Sequence, residues 1–434
     1  MTTRLPFTII DETFVHADDP AQPVTVQIEA RAAGPLDRQR VAHAVQAALR
    51  VHPLARARQL PWSDGAVEYE WLIDDEAQVD PLALVTTDEG DDLDVLRADF
   101  YSRPLSLFES PPLRVRHVEH PDGDLIMVSV HHSAADGMGA IRFLQSVCRA
   151  YTGADDTTPD FDPAQARQLA VPTEPPGWSD RLHSGRMELQ RLTRLGSLPA
   201  RLAEHHPDSR AGYGFRTLRL PLEPIVSAPL RRSTGATVND VLIAAAARAA
   251  GRWNNEHGDT ASRVAVQMPI NARPVAWSRE MMANLVTGDS VSVNAADRAS
   301  AEDCLRVVAG WTEAVKKRGP GPALAAMNNM PKFAVSGRRA ATQWAMRAGR
   351  ALAETLVLSN LGRVPDEFTG SESFRLTDVV FSPPAAMPFG LGVGAVALDD
   401  HLTLTLRHRW TLWDTAGNDR FAEILVDEID QLTT

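Results

Sequence analysis

The stretch "VSVHHSAADGMGA" places two adjacent histidines, His131 and His132, four residues ahead of an Asp-Gly pair, Asp136 and Gly137. An imidazole takes up and releases a proton near neutral pH, which makes either histidine a candidate general base. A glycine directly after the aspartate lets the backbone turn sharply or approach a ligand that a side chain would fend off. The same three side chains suit a zinc or iron site as well, because imidazole and carboxylate ligate both metals. Adjacent residues of a strand face opposite sides, however, so His131 and His132 do not naturally converge on one ion. With only Cys148 and Cys304 in the chain, a cysteine-based zinc site is excluded too, and no metal is expected.

The elements around the motif are suited to aiming a side chain. An alternating run, "LRVRHVEH" (113–120), meets the turn signal "PDGD" and then the apolar run "LIMVSV", so a hairpin leads into the histidines. Behind them Ile141, Leu144, Cys148 and Tyr151 recur at helical spacing until Thr152-Gly153 closes the helix. Earlier, "PVTVQIEARA" (23–32) reads as a strand and "DRQRVAHAVQAALRVHP" (37–53) as a helix ended by Pro53. From 153 to about 212 the composition turns to Pro, Asp and Thr, with a polar helical stretch around 179–204. A second lobe then opens with "YGFRTLRLPL" and a helix "TVNDVLIAAAARAAGRW", where Thr237 and Asp240 are placed for a capping box. Strands return at 263–270, 290–293, 354–360 and 402–410, and a last helix lies near 418–432. A chain of 434 residues exceeds what one core usually serves. The expected division is an N-terminal lobe (1–175), a linker or crossover (176–212) and a C-terminal lobe (213–434).

Composition narrows the partners. A net charge of −12 without a long Lys/Arg cluster argues against nucleic acid, and hydrophobic and charged fractions of 44% and 23% are those of a folded chain. No apolar run is long enough for a membrane span, no signal-peptide core follows Met1, and the cysteine count fits a reducing cytoplasm. The densest basic segment, Ser336 to Arg350, carries Arg338, Arg339, Arg347 and Arg350 and is read either as a landing patch for an acidic ligand or as a solvated helix face. Three decoys are set aside. "GLGVGA" (390–395) mimics a dinucleotide fingerprint without the strand–turn–helix context and is read as a flexible loop. Ser290 lies inside an alternating strand rather than at a helix start, and His205-His206 is read as solvated. No Gly-x-Ser-x-Gly elbow is present.

"HHSAADG" resembles in full the signature of the thioester-dependent acyltransferase superfamily. That superfamily includes chloramphenicol acetyltransferase, nonribosomal peptide synthetase condensation domains, polyketide-associated acyltransferases and wax ester synthase/diacylglycerol acyltransferases. Further stretches resemble its other segments: "HPLAR" at the end of the first helix, "TVNDVLIAAAARA", "MPINARP", "MMANLVTG" and "LSNLGRVP". Two departures stand out. Ala283 replaces a glycine common before the asparagine, and "SNLG" differs from the wax ester synthase pattern, which weighs against a wax or triacylglycerol product.

The resemblance implies an α/β fold of two chloramphenicol acetyltransferase-like lobes, each a mixed sheet with helices, with an active-site tunnel between them. It implies His132 as the base, His131 as support for the loop, and a structural salt bridge from Asp136 to Arg56. The Gly137 amide becomes a candidate oxyanion donor. Ser359, Asn360, Asn271, Arg273 and Asn284 become candidates for the substrate tunnel, and Arg338 and Arg339 for the donor. Ser359 and Asn360 equally suit a strand cap, Asn239 and Asp240 a helix start, and Asn271 and Arg273 divide the same way. The implied activity is transfer of an acyl group from a coenzyme A or carrier-protein phosphopantetheine thioester to a hydroxyl or amine of a small acceptor, in natural-product biosynthesis. No acyl-enzyme intermediate is expected, since no nucleophile adjoins the base. No tightly bound cofactor and a monomer are expected, with an acyl or peptidyl carrier protein as a donor partner. The rival readings are a wax ester synthase/diacylglycerol acyltransferase on lipid alcohols and a non-catalytic carrier-protein-binding scaffold.

Overall fold

A computed structural model describes residues 2–156, 167, 198–274, 277, 279–321, 333–348, 353–365, 370–371 and 374–434. The helical stretch expected around 179–204 lies mostly outside the described residues, as do Arg350 and the side chain of Arg347.

In chain order the first half comprises β1 (Thr3–Pro6), α1 (Ile9–Ala17), β2 (Thr25–Ala32), α2 (Arg38–Val51), β3 (Ala57–Gln59), β4 (Glu70–Ile73), β5 (Leu82–Thr86), α3 (Leu93–Tyr101), β6 (Leu113–Glu119), β7 (Leu125–His131) and α4 (Gly137–Thr152). The second half continues with β8 (Tyr213–Pro221), α5 (Leu222–Ser227), α6 (Pro229–Thr234), α7 (Val238–Glu256), β9 (Arg263–Asn271), β10 (Val286–Asn294), α8 (Ala301–Arg318) and α9 (Val335–Ala348). It closes with β11 (Leu356–Arg363), β12 (Gly370–Ser371), β13 (Phe374–Ser382), β14 (Leu391–Leu398), β15 (His401–Arg409) and α10 (Thr415–Thr433).

These strands form two six-stranded sheets, β12-β13-β2-β7-β6-β5 and β10-β9-β11-β14-β15-β8, and a small β1-β4-β3 sheet. In the first large sheet β2 alternates strictly. Val26, Ile28, Ala30 and Ala32 enter one apolar core with residues of α2 and α4, while the odd positions face the other way. The second large sheet packs on α7, whose buried run Val241–Ala247 threads a separate core shared with α8 and α10. The chain therefore has two lobes, each a mixed sheet with helices, as expected.

The anticipated hairpin is present, β6 and β7 pairing antiparallel with Leu113 opposite Val130. So is the capping box of α7, where the Thr237 hydroxyl accepts from the Asp240 amide and the Asp240 carboxylate from the Thr237 amide.

Two strands depart from the sequence reading. Of residues 390–395, read as a flexible loop, all but Gly390 belong to β14, which lies between parallel β11 and antiparallel β15 with all eight positions buried. Its glycines serve close approach rather than flexibility: a Cβ on Gly394 would lie 2.0 Å from the Phe381 carbonyl oxygen. The second departure is β13, a strand not anticipated between 360 and 402. It pairs antiparallel with β2, so the sheet of the first lobe is completed by a strand from late in the chain.

Candidate active site

β7 ends at His131, and the chain turns through residues 132–136 into α4. The turn is fixed from several sides. The His132 amide donates to the Val24 carbonyl at 3.0 Å, the Ala134 amide to His131, and the Asp136 amide to Ala283. Asp136 caps α4 through the Gly139 amide (2.8 Å). At Gly137, the first helical residue, a Cβ would sit 2.8 Å from the Leu361 side chain and 2.9 Å from the Phe381 ring, so either would have to shift to admit one. An amide at that first helical position has no carbonyl of its own helix to bond, so the Gly137 N–H points out of the helix start.

The two histidines differ in environment, His131 closing β7 and His132 opening the turn. The His131 Nδ1 accepts from the Ser133 amide at 3.2 Å and lies 2.7 Å from the Ser133 hydroxyl, and its Nε2 lies 3.6 Å from Asp18. Burial alone would raise the Asp18 carboxyl, but the hydrogen bond and charge of His131 reverse this and hold it below its ordinary value. The His132 ring lies flat on the ring of Phe14 in α1, with centroids 3.8 Å apart and planes 5° apart. Its Nδ1 is enclosed and, beyond its own backbone, without a hydrogen-bond partner among the described residues. Burial, opposed in part by a hydrogen bond to its own backbone and by the Asp136 charge, lowers the imidazole from its ordinary 6.5 to about 4. At neutral pH it is therefore uncharged and able to accept a proton.

Asp136 corrects one expectation. Its carboxylate is held by Arg273, Nη1 to Oδ2 at 2.7 Å and Nη2 to Oδ1 at 2.9 Å, and by the Leu285 amide at 2.8 Å, and not by Arg56. Arg56 turns back on the end of α2, donating to the carbonyls of Leu49 and Arg50 and to that of Asp74. A guanidinium in that place serves the partial negative charge of the helix C-terminus and is too occupied to reach α4. Arg273 also donates to the carbonyls of Met281 and Ala283, so the β9–β10 connection of the second lobe is locked onto the histidine turn of the first. Burial would push the Asp136 carboxyl up, yet Arg273 and the two amides keep it below its usual range.

The remaining candidates separate. Asn271 bonds the Arg273 amide and guanidinium through its side-chain oxygen, so it supports the Asp136 pair. Asn284 is fully buried beside this lock, and both ends of its amide lack partners among the described residues. Asn360 accepts from the Gly362 amide, a local turn at a glycine with φ of +75°. Ser359 and Asn360 precede Leu361, which touches the Gly137 position, so the end of β11 does reach the helix start. Asn239 lies 3.3 Å from the Met268 sulfur, and Asp240 is spent on the cap.

Arg338 is not available to an external acid. It is paired with Glu12 (Nε to Oε1, 2.6 Å) and donates to the Phe333 and Val67 carbonyls, tying α9 to α1. Its neighbour Arg339 is half-buried beside His16 and Tyr69. His205, read as solvated, is half-buried against Trp253 and His257, while His206 is exposed.

Sequence reasoning missed two residues. Phe14 gives no local signal. Arg407 does: it sits on β15 in phase with Thr403 and Thr405 and opposite to Leu402, Leu404 and Leu406, so its face is the one turned from the second core. Fully buried, it donates to the Thr25 carbonyl at 2.7 Å and lies 3.9 Å from the Tyr213 ring centre, joining β15 to β2 next to the histidine turn. Among the described residues no group of three or more His, Cys, Asp or Glu could hold a metal ion, and no helix is long and apolar enough to cross a membrane.

No family model matches the chain. The uncharacterized proteins MT2362 and Rv2305 of Mycobacterium tuberculosis are each 34% identical over 443 residues, spanning 99% of this chain and 100% of their own. Among solved structures, the first condensation domain of the calcium-dependent antibiotic synthetase, in complex with a substrate analogue, superposes with a TM-score of 0.70 at 17% identity, covering 100% of this chain and 98% of that one. The starter condensation domain of rhizomide synthetase, solved with C8-CoA and Leu-SNAC, gives 0.67 at 15% identity, with 99% and 95% covered.

Proposed function

Because the chain belongs to the same family as Rv2305 of Mycobacterium tuberculosis and has the condensation-domain fold, we propose that it is an acyltransferase that moves an acyl group from a thioester to a small hydroxyl or amine. The observation that carries this reading is the uncharged, enclosed imidazole of His132, held at the junction of the lobes beside the open start of α4.

In the proposed reaction the acceptor oxygen or nitrogen attacks the thioester carbonyl while its proton passes to His132. The carbonyl oxygen takes up negative charge, which the Gly137 N–H receives in this reading. Collapse breaks the C–S bond, and the imidazolium returns its proton to the leaving thiolate, so the base is regenerated. Asp136 stays out of the chemistry. Each of its oxygens is engaged by Arg273 and by backbone amides, and its part is to fix the turn that carries His132. Much of the acceleration comes from holding the two substrates in line.

The donor is an acyl thioester of coenzyme A or of carrier-protein phosphopantetheine, a reading supported by the neighbour solved with C8-CoA. The setting is cytoplasmic natural-product biosynthesis, with the protein acting as a monomer. The test is a panel of acyl thioesters incubated with alcohol and amine acceptors and read by intact mass. A hit in wild type that falls about 10²–10⁴-fold in folded His132→Ala supports the reading. Wild-type turnover by that variant sinks it.

A further inference from the structure

A base that is buried and uncharged at rest must become a cation in mid-reaction, and around His132 little is free to receive that charge. Beyond its own backbone, its Nδ1 has no hydrogen-bond partner among the described residues. Asp136, the carboxylate that acts on it, is already held by Arg273, the Gly139 amide and the Leu285 amide. The other charged or titratable groups facing it, His131 beside it and Arg407 from β15, both oppose a positive charge. What does lie against the imidazole is the face of an aromatic ring, 3.8 Å away and within 5° of parallel.

We infer that Phe14 is a positioning residue for the base. Its ring holds the imidazole flat, and its electron-rich face stabilises the imidazolium formed when His132 takes the acceptor's proton. The inference rests on the reading of His132 as the base. A cation desolvated over an aromatic face is the geometry in which this attraction is strongest.

The ring is kept in place by the way α1 is fixed. Thr8 and Asp11 form a capping box at its start, Asp11 accepts from the Trp71 indole at 3.2 Å, and Glu12 is paired with Arg338 of α9. Arg338 therefore serves the base at second hand, by fixing the helix from which Phe14 projects.

Two replacements test this. Phe14→Leu keeps an apolar side chain and removes the aromatic face. Pentafluorophenylalanine at position 14 keeps the ring and its shape and reverses the sign of its face, which covers the case of a leucine variant that fails to fold. Both should lower kcat by about tenfold with KM little changed, the size of a desolvated cation–ring contact. Both should also move the acid limb of kcat/KM against pH to lower pH, because the imidazolium is disfavoured. Phe14→Tyr and Phe14→Trp should restore both readouts.

A purely structural role predicts the opposite displacement, since a loosened, better hydrated imidazole titrates at higher pH. An acid limb that stays fixed or moves up in the fluorinated protein overturns the inference. His132→Gln run in the same assay separates the two levels. If it keeps wild-type turnover the base assignment has failed, and if it is inactive while the fluorinated protein behaves as wild type, only the role of Phe14 has.

Discussion

Over residues 25–30 the two faces of β2 are both buried and built from opposite materials. Toward α2 and α4 it presents Val26, Ile28, Ala30 and Ala32; away from them it presents Thr25, Gln27 and Glu29, which are 0%, 0% and 1% exposed. Thr25, Gln27 and Glu29 each answer to a partner: the Thr25 carbonyl and hydroxyl to Arg407, Gln27 to Glu29 and Ser382, and Glu29 to Arg97 at 2.9 Å. The Asp136–Arg273 lock extends this polar seam between the lobes to the histidine turn. An apolar face is held by area and shape and yields gradually when trimmed. A buried polar face is held by completeness, and removing one partner leaves the other without compensation. The proposed chemistry lies along the second kind of surface, which gives a fixed geometry and tolerates few substitutions.

Acid should separate the two kinds of surface most sharply. His52 and His408 are lowered to about 3, and His16 and His132 to about 4, in every case chiefly by burial. The unfolded chain, whose histidines titrate near 6.5, takes up these protons first, so stability is fully present above about 6.5 and declines as pH falls from there toward 3–4. Denaturant midpoints recorded at steps between pH 7.5 and 4.5 should fall progressively, and a flat profile over that range would count against neutral burial of these rings.

Breaking the lock comes next. Asp136→Ala leaves Arg273 buried against carbonyl groups and should cost about 3–5 kcal/mol, read from urea unfolding at pH 7. A loss under 1 kcal/mol would show that the seam relaxes or hydrates when opened. On the apolar face Ile28→Val removes one methylene from the core and should cost only about 0.5–1.5 kcal/mol. A cost equal to that of the lock would erase the contrast.

Local features were the legible ones. The hairpin, the turn and α4 are specified within a window of about 40 residues, where alternation, turn chemistry and helical spacing agree. The partner of Asp136 is 137 residues away, and no local rule selects Arg273 over Arg56. "MPINARP" drew attention to Arg273, but only the fold brings it to the carboxylate. The strand β14 was hidden by its own glycines, which usually mark a loop and here let β13 cross at contact distance. Phe14 was illegible for a different reason: an isolated aromatic on a short amphipathic helix looks the same whether it fills a core or covers a base.

The late arrival of β13 has a consequence for biosynthesis. β2 is made early, but the strand that covers its free side follows β7 by about 240 residues, roughly 12–50 s of synthesis at ordinary rates. Throughout that interval the nascent first lobe carries an open edge on a strand rich in β-branched and apolar residues, the form of surface that recruits other strands. A ribosome stalled between the two lobes would present an unfinished sheet rather than a finished domain, and holding that edge apart until the chain is nearly complete falls to whatever binds it on the way out.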